Sequence, residues 1–235
     1  MNPSNLIFDE DLIKEKLFHF DSPLRSALKD DFFINSAVLF AIIPYENKPY
    51  ELILIHRTDR GSNHRGEMSF PGGKFDAKLD RSLQYTVLRE TEEEIGIPKS
   101  KIKLLGCLND VITLTKFIIT PFIGIVDKDQ KLFKDNREVQ EIVKVPINFF
   151  FSKKNFSEEF FYIGGKKFPV LYFNYETNNK KYTIWGATAF MIASFINIVY
   201  DTNLSNLKIR RFTIEELKPL KNYIEIKNKI WNPDK

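Results

Sequence analysis

Cysteine is nearly absent. Cys107 is the single one in 235 residues, so no disulfide can form within the chain, and a reducing compartment is expected. It lies in an apolar segment with no base identifiable beside it, which favours a core residue over a nucleophile. Long apolar runs are also missing: none approaches the ~18 residues that a membrane span needs. The first residues, MNPSNLIFDEDLIKEK, lack a basic stretch followed by an apolar one, so no signal peptide is expected. A large excess of either sign of charge is missing too. A formal net charge of +4 is too mild to argue for nucleic acid, yet does not repel a small polyanion. There is no Pro/Gly/Ser linker, repeat or low-complexity tract. These absences predict one domain over residues 1–235, cytoplasmic, with neither membrane nor nucleic acid as partner. Nothing in them specifies an oligomeric state.

Core material is plentiful, with 22 phenylalanines. Residues 9–30 read as helical, with Leu12, Ile13, Leu17 and Phe18 on one side and Pro23 separating a first helix from a shorter second one. Residues 36–44 (SAVLFAIIP) form a continuous, branched apolar run, the pattern of a buried strand. A turn at 46–49 leads to a second strand at 51–57, its expected hairpin partner. Further strands are predicted at 102–107, 117–126 and 138–145, with a charged loop over 127–137. Pro121 suggests that the strand at 117–126 is an edge or carries a bulge. A short helix follows at 147–151. Residues 160–163 and 168–173 read as a hairpin around Gly164-Gly165, with a last short strand at 182–184. Residues 185–200 are helical and apolar nearly all round, so this is a buried core helix. Thr213 to Glu216 has the spacing of a capping box at the start of a helical tail. Strands interleaved with helices argue for an α/β layered sandwich with a mixed sheet.

The chemistry concentrates between Phe70 and Ile97. Phe70-Pro71-Gly72-Gly73 is a tight turn. It leads to a helix marked by Leu83, Val87 and Leu88 and stopped by Gly96. Near that stop sit Glu90, Glu92, Glu93 and Glu94. Carboxylates at a helix C-terminus oppose the helix dipole. Glu90, Glu93 and Glu94 also share a face at i, i+3 and i+4, where like charges repel. A divalent cation offsets both costs; a solvated acidic turn is the plain alternative. Glu92 lies off that face and is expected to point to solvent. Upstream, the polar loop 58–68, with Arg57, Arg60, His64 and Arg65, either faces an anionic ligand or is simply solvated. His64 has no partner at metal-ligand spacing.

These residues resemble the signature box of the Nudix hydrolases, which reads Gly, five residues, Glu, seven residues, Arg-Glu, apolar, any, Glu-Glu, any, Gly, apolar. Arg89-Glu90, Glu93-Glu94, Gly96 and Ile97 match its second half, and Thr91 fills the apolar slot imperfectly. The first half departs: Arg81 stands where the box has Glu, and Gly73 lies two residues too far upstream, with Asp76 and Asp80 between. Asp80 is read as the helix N-cap. The departure is similar to the coenzyme A pyrophosphatase branch, which has an aspartate-containing loop here and an upstream motif. Of that motif, Arg57, Gly66 and Phe70-Pro71-Gly72-Gly73 match in register, Thr58 replaces Ser, and Ser62 stands where a second Arg belongs. Residues 120–124 (TPFIG) and 184–189 (IWGATA) are also similar to it, so the likeness covers roughly residues 36–200.

The resemblance implies a Nudix-like α/β/α sandwich and hydrolysis of a pyrophosphate bond. It implies Mg2+ or Mn2+ held by Glu90, Glu93 and Glu94, with Arg89 structural or orienting a glutamate. Gly72 and Gly73 let backbone approach the site, and Arg57, Arg60 and Arg65 are the nearest cations for substrate phosphates. A general base is sought at Glu138 or Glu141, with an exposed strand charge favoured for Glu141; a box glutamate is the other option. The substrate implied is coenzyme A or a derivative. The alternatives are another nucleoside diphosphate derivative (ADP-ribose, NADH, a dinucleotide or a damaged nucleotide) or a non-catalytic nucleotide-binding module. Ser62 favours the former alternative, and the retained glutamates oppose the latter.

Overall fold

The branched apolar runs form the centre of a mixed sheet. The computed structural model describes residues 6–59, 66–163, 165–205 and 212–231. Strand β1 (Ile34–Ile43) runs antiparallel to β2 (Glu51–Arg57). Strand β3 (Met68–Ser69) pairs with the end of β2, and β8 (Val139–Pro146) pairs along the whole of β2 on its other edge; β4 (Gly72–Lys74) pairs with β1. On its other side β1 is parallel to β7 (Phe117–Val126), in register from Ile34↔Phe117 to Ile42↔Ile125. Strands β5 (Ile102–Cys107) and β6 (Val111–Ile112) both pair antiparallel with β7. Alternation accounts for the uninterrupted apolarity of β1, since successive side chains leave opposite faces of a strand and here both faces are covered. Ala37, Leu39, Ala41 and Ile43 pack with Val87 and Ile95 of helix α2 (Leu83–Ile95). Phe40 and Ile42 pack with Ile192 and Phe195 of helix α3 (Gly186–Tyr200). This is the layered α/β arrangement expected.

Helix α3 is apolar nearly all round because it is covered nearly all round. It packs on a second, antiparallel sheet of order β11-β10-β9 and on helix α1 (Glu10–Lys16) as well as contributing to the core beside β1. That sheet comprises β9 (Phe156–Ile163), β10 (Lys166–Thr177) and β11 (Lys180–Trp185). It is longer than the hairpin and short strand predicted, and forms a separate sheet. Thr177 pairs with Lys180 across Asn178-Asn179, both at positive φ, the two-residue turn whose twist suits a hairpin. A 3-10 turn spans Ile147–Phe151, where a short helix was expected. At the C-terminal end, Thr213 and Glu216 form the expected capping box of α4 (Ile214–Leu217), and α5 (Lys221–Trp231) follows.

Three expectations are corrected. Residues 9–30 are not two helices: α1 ends at Lys16, the chain then meets β5 at one bridge, where Phe18 and Cys107 exchange backbone hydrogen bonds at 3.1 and 2.9 Å, and continues through turns. The sheet edge satisfies these backbone groups better than a second, Pro23-interrupted helix would. Of the two readings of Pro121, edge or bulge, the edge is overturned, since β7 is central, while the β5–β7 ladder beside it does carry an irregularity, its register shifting between Leu104 and Gly106. The Pro121 carbonyl accepts from Leu108 N–H at 3.0 Å, so its nitrogen faces the same side, into the gap between the end of β5 and the start of β6. The missing N–H therefore falls where the ladder is interrupted. The N-cap of α2 is Ser82, which accepts from Tyr85 N–H, and not Asp80. Cys107 is a core residue as expected; burial pushes its thiol up to about 11.

A buried ion pair fastens this segment. Arg25 donates to Asp110 at 2.5 Å, and Asp110 also accepts from Leu28 N–H and the Thr120 hydroxyl, each at 2.7 Å. Arg25 and Asp110 are 9% and 3% exposed, so removing one partner strands the other's charge. Asp110→Ala is expected to lower unfolding stability by about 3–5 kcal/mol, and adding Arg25→Met to recover a large part of that, both read by urea denaturation.

Candidate active site

The glycine turn and the end of α2 are brought together by the packing of α2 on β1. Glu94, 3% exposed, accepts the Gly72 backbone N–H at 2.8 Å with one carboxylate oxygen and Arg57 at 3.0 Å with the other. Gly73 lies directly against Glu90: a Cβ there would come within 2.4–2.6 Å of the Glu90 carboxylate. Gly72 sits at φ +147°, and a Cβ there would fall 2.2 Å from the Ala37 carbonyl oxygen. Gly72 therefore excludes any side chain against the β1 backbone, while a side chain at Gly73 would displace the Glu90 carboxylate from its place.

Two arginines distribute the charge. Arg89 donates to both oxygens of Asp80 at 2.8 and 2.9 Å, and reaches Glu90 and Glu93 at 2.9 Å each. Arg57 bridges Glu94 and, at 3.4 Å, Glu138. The hydrogen bonds from Arg89 hold the buried Asp80 carboxyl down to about 2. Burial acts the other way on the two inner glutamates. It raises Glu90 against the pull of Arg89, and pushes Glu94 up to about 7 despite Arg57 and the Gly72 N–H, with Glu90 adding repulsion.

Most of the predicted residues converge. Glu90, Glu94, Arg57, Gly72 and Gly73 share the inner site, while Glu93 and Glu138 stand at its rim with side chains 57% and 55% exposed. Glu141 is elsewhere: it binds Lys180 and Tyr182, both at 2.8 Å. It remains the strand charge that was favoured for it, now paired. Glu92 is off the site and pairs with Lys99, as expected. Arg60 and Arg65, with Ser62 and His64, lie outside the described residues. The lengthened loop before α2 has a structure of its own. Asp76 and Asp80 exchange backbone and side-chain bonds that close it, and Asp80 then grips Arg89. Sequence spacing missed this role of Asp80, whose only signal was the acidic residue nine positions before Arg89.

Oxygen donors of this kind suit a hard divalent cation, and two desolvated, mutually repelling carboxylates are what such a cation would relieve. Among the described residues no group of three or more potential ligands is already gathered as a shell. Arg89 holds Glu90 and Glu93, and Arg57 holds Glu94 and Glu138. Glu90, Glu93 and Glu94 fit the ion by chemistry, with Arg89 and Arg57 as the groups that share them.

Comparison with known proteins gives a consistent pattern. The model of the NUDIX domain family matches residues 36–160. The chain is 31% identical over 169 residues to mitochondrial Nudix hydrolase 15 of Arabidopsis thaliana, covering 71% of this chain and 59% of that protein. It is 31% identical over 204 residues to chloroplastic Nudix hydrolase 22 of the same plant, covering 81% and 67%. It is 33% identical over 158 residues to NudL, an uncharacterized Nudix hydrolase of Photorhabdus laumondii, covering 67% and 81%. The chain thus spans a little under three fifths of the length of the first of these.

The raised Glu94 sets a direction for pH and metal. A carboxyl whose folded value lies above its ordinary 4.5 stabilises fully below that value, and the contribution is lost as pH rises through about 7. Without added metal, the thermal midpoint is expected to fall by roughly 4–8 °C from this group between about pH 5 and about pH 8, corresponding to about 2 kcal/mol. Glu94→Gln should flatten that slope. Mg2+ or Mn2+ should restore the midpoint at the higher pH and do little at the lower, as followed by scanning calorimetry.

Proposed function

This chain belongs to the NUDIX domain family, and we propose that it hydrolyses the pyrophosphate bond of coenzyme A or a derivative. One water is consumed, one bridging P–O bond breaks, and each product keeps one of the two phosphates: 3′,5′-ADP and 4′-phosphopantetheine. The observation that carries the hydrolase reading is the placement of the buried Glu90 and Glu94 against Gly73 and Gly72, beside Arg57. The preference for coenzyme A rests on Arg57, Gly66 and the Phe-Pro-Gly-Gly turn standing in register. The loop closed by Asp76 and Asp80 supports it.

In this reading Glu90, Glu93 and Glu94 hold Mg2+ or Mn2+, which when bound neutralises phosphate charge and lowers the pKa of water. Arg89, itself fixed by Asp80, orients Glu90 and Glu93 through charge-assisted bonds. Gly72 and Gly73 let the diphosphate come close to the backbone. Arg57 binds a substrate phosphate while keeping Glu94 in place. Glu138, exposed and next to Arg57, takes the proton from the attacking water. Ser62, standing where the coenzyme A branch carries Arg, favours a second reading in which another nucleoside diphosphate derivative is preferred.

A panel of coenzyme A, ADP-ribose, NADH and 8-oxo-dGTP decides between them, with coenzyme A expected to show the highest kcat/KM. Coenzyme A as the poorest substrate would overturn the first reading. Glu94→Gln is expected to lower kcat roughly 100- to 1,000-fold. Unaltered activity in that variant would remove Glu94 from the site. Glu138→Gln is expected to lower kcat roughly 100-fold or more.

A further inference from the structure

The end of α2 and the end of β2 both hold the short segment that carries Glu138. Asp135 N–H donates to the Glu94 carbonyl oxygen at 2.9 Å, so the segment is anchored to the last turn of α2. The Asp135 carbonyl then accepts from the N–H groups of Glu138 and Val139, at 3.2 and 2.8 Å. Its carboxylate closes the turn on the Arg137 backbone N–H at 2.9 Å. On the other side, β8 is out of simple step with β2. Glu141 pairs with His56, but Val139 and not Gln140 pairs with Arg57, so β8 takes up one extra residue at Gln140. Such a bulge re-aims the residues beyond it. Val143 and Val145 pack in the core beside α3, whereas Val139 packs in the core beneath α2, although strict alternation would keep all three on one face. Uninterrupted pairing would also set Val139 opposite Thr58. Instead Thr58 N–H donates to the Glu138 carbonyl at 3.0 Å. The Thr58 hydroxyl donates to the Arg137 carbonyl, also at 3.0 Å. Thr58 thus takes two successive carbonyls, while Arg57 before it meets the Glu138 carboxylate at 3.4 Å.

We infer that Thr58 is a positioning residue for Glu138: its hydroxyl, together with the β8 bulge, holds the Arg137–Glu138 backbone where the Glu138 carboxylate can reach the attacking water. The inference rests on the reading of Glu138 as the general base and deepens it. The Glu138 side chain is 55% exposed, so little packing fixes it, and the placement of its backbone decides where the carboxylate stands. Proton transfer depends steeply on distance and alignment, so a small displacement of that backbone is felt in kcat. The bond is made to the backbone of the base's own segment, so its loss falls on kcat and not on KM. This gives the hydroxyl that follows Arg57 in the upstream motif a physical task, one that a methyl group of the same size cannot perform.

The test is a double-mutant cycle of Thr58→Val and Glu138→Gln at saturating Mg2+. The substrate is coenzyme A, or whichever member of the panel above is turned over fastest. Thr58→Val keeps the branched shape and removes only the hydroxyl. It is expected to lower kcat roughly tenfold at nearly constant KM. Thr58→Ser, which keeps the hydroxyl, is expected to hold kcat within about twofold of the wild type. In the Glu138→Gln background, Thr58→Val is expected to cost less than about twofold, because the base that it positions is gone. The full loss repeated in that background overturns the inference, since Thr58 then acts on something other than Glu138. A Thr58→Val protein with wild-type kcat, or with its loss in KM, overturns it as well. The two readings fail separately. Where Glu138→Gln lowers kcat and Thr58→Val does not, only the role of Thr58 falls. Where Glu138→Gln leaves kcat unchanged, the base reading falls and this inference falls with it.

Discussion

The Glu94 carboxylate ties three parts of the chain to one another. It belongs to the last turn of α2, accepts from the backbone of the glycine turn, and pairs with Arg57 at the end of β2. Burying a charge in this way is unfavourable unless its partners are well placed, and burial still leaves the group with a strongly raised pKa. The geometry around it is correspondingly unforgiving. Gly72 has no room for a Cβ against β1, and a Cβ at Gly73 would push the Glu90 carboxylate aside. The helix, the turn and the sheet are thus located relative to one another by a desolvated carboxylate and two side-chain-free residues.

Arg89 solves the related problem on the outer side of the helix. Its guanidinium faces three carboxylates, and the doubly hydrogen-bonded one, Asp80, fixes its orientation. A planar fork matched to a carboxylate is a directional device, so Glu90 and Glu93 are presented at defined angles and not merely attracted. The two-residue lengthening between Gly73 and Glu90 supplies the loop in which Asp76 and Asp80 lock each other. What looks in the sequence like a damaged motif is therefore a closed loop with its own hydrogen bonds.

Much of this was legible beforehand, for identifiable reasons. Strands β1, β2, β5 and β7 and helices α2 and α3 announce themselves by periodicity, because each is bounded by turn residues and buried in a regular way. The glutamates were legible because four carboxylates at a helix end contradict the dipole and each other. The segment after α1 was misread because its apolar spacing also fits a helix; what decides its form is a sheet edge and the Arg25–Asp110 pair, contributed by residues far along the chain. Pro121 left edge and bulge both open because a proline's tolerance depends on what lies opposite its nitrogen, and only the strand pairing shows a central strand with an interrupted ladder there.

The sequence by itself determined the local chemistry: which segments are strands and helices, where the turn requires glycine, and that an acidic helix end needs cationic or metal company. These are properties of neighbours along the chain, where spacing and residue type set the physics. Tertiary structure decided what each group faces. It gave Glu94 to Gly72 and Arg57, Asp80 to Arg89, Glu138 to Arg57 and Glu141 to Lys180, and it raised a second sheet over an apolar cavity. Burial and pairing across distant segments set those outcomes, because desolvation depends on everything packed around a group and on no single stretch of chain.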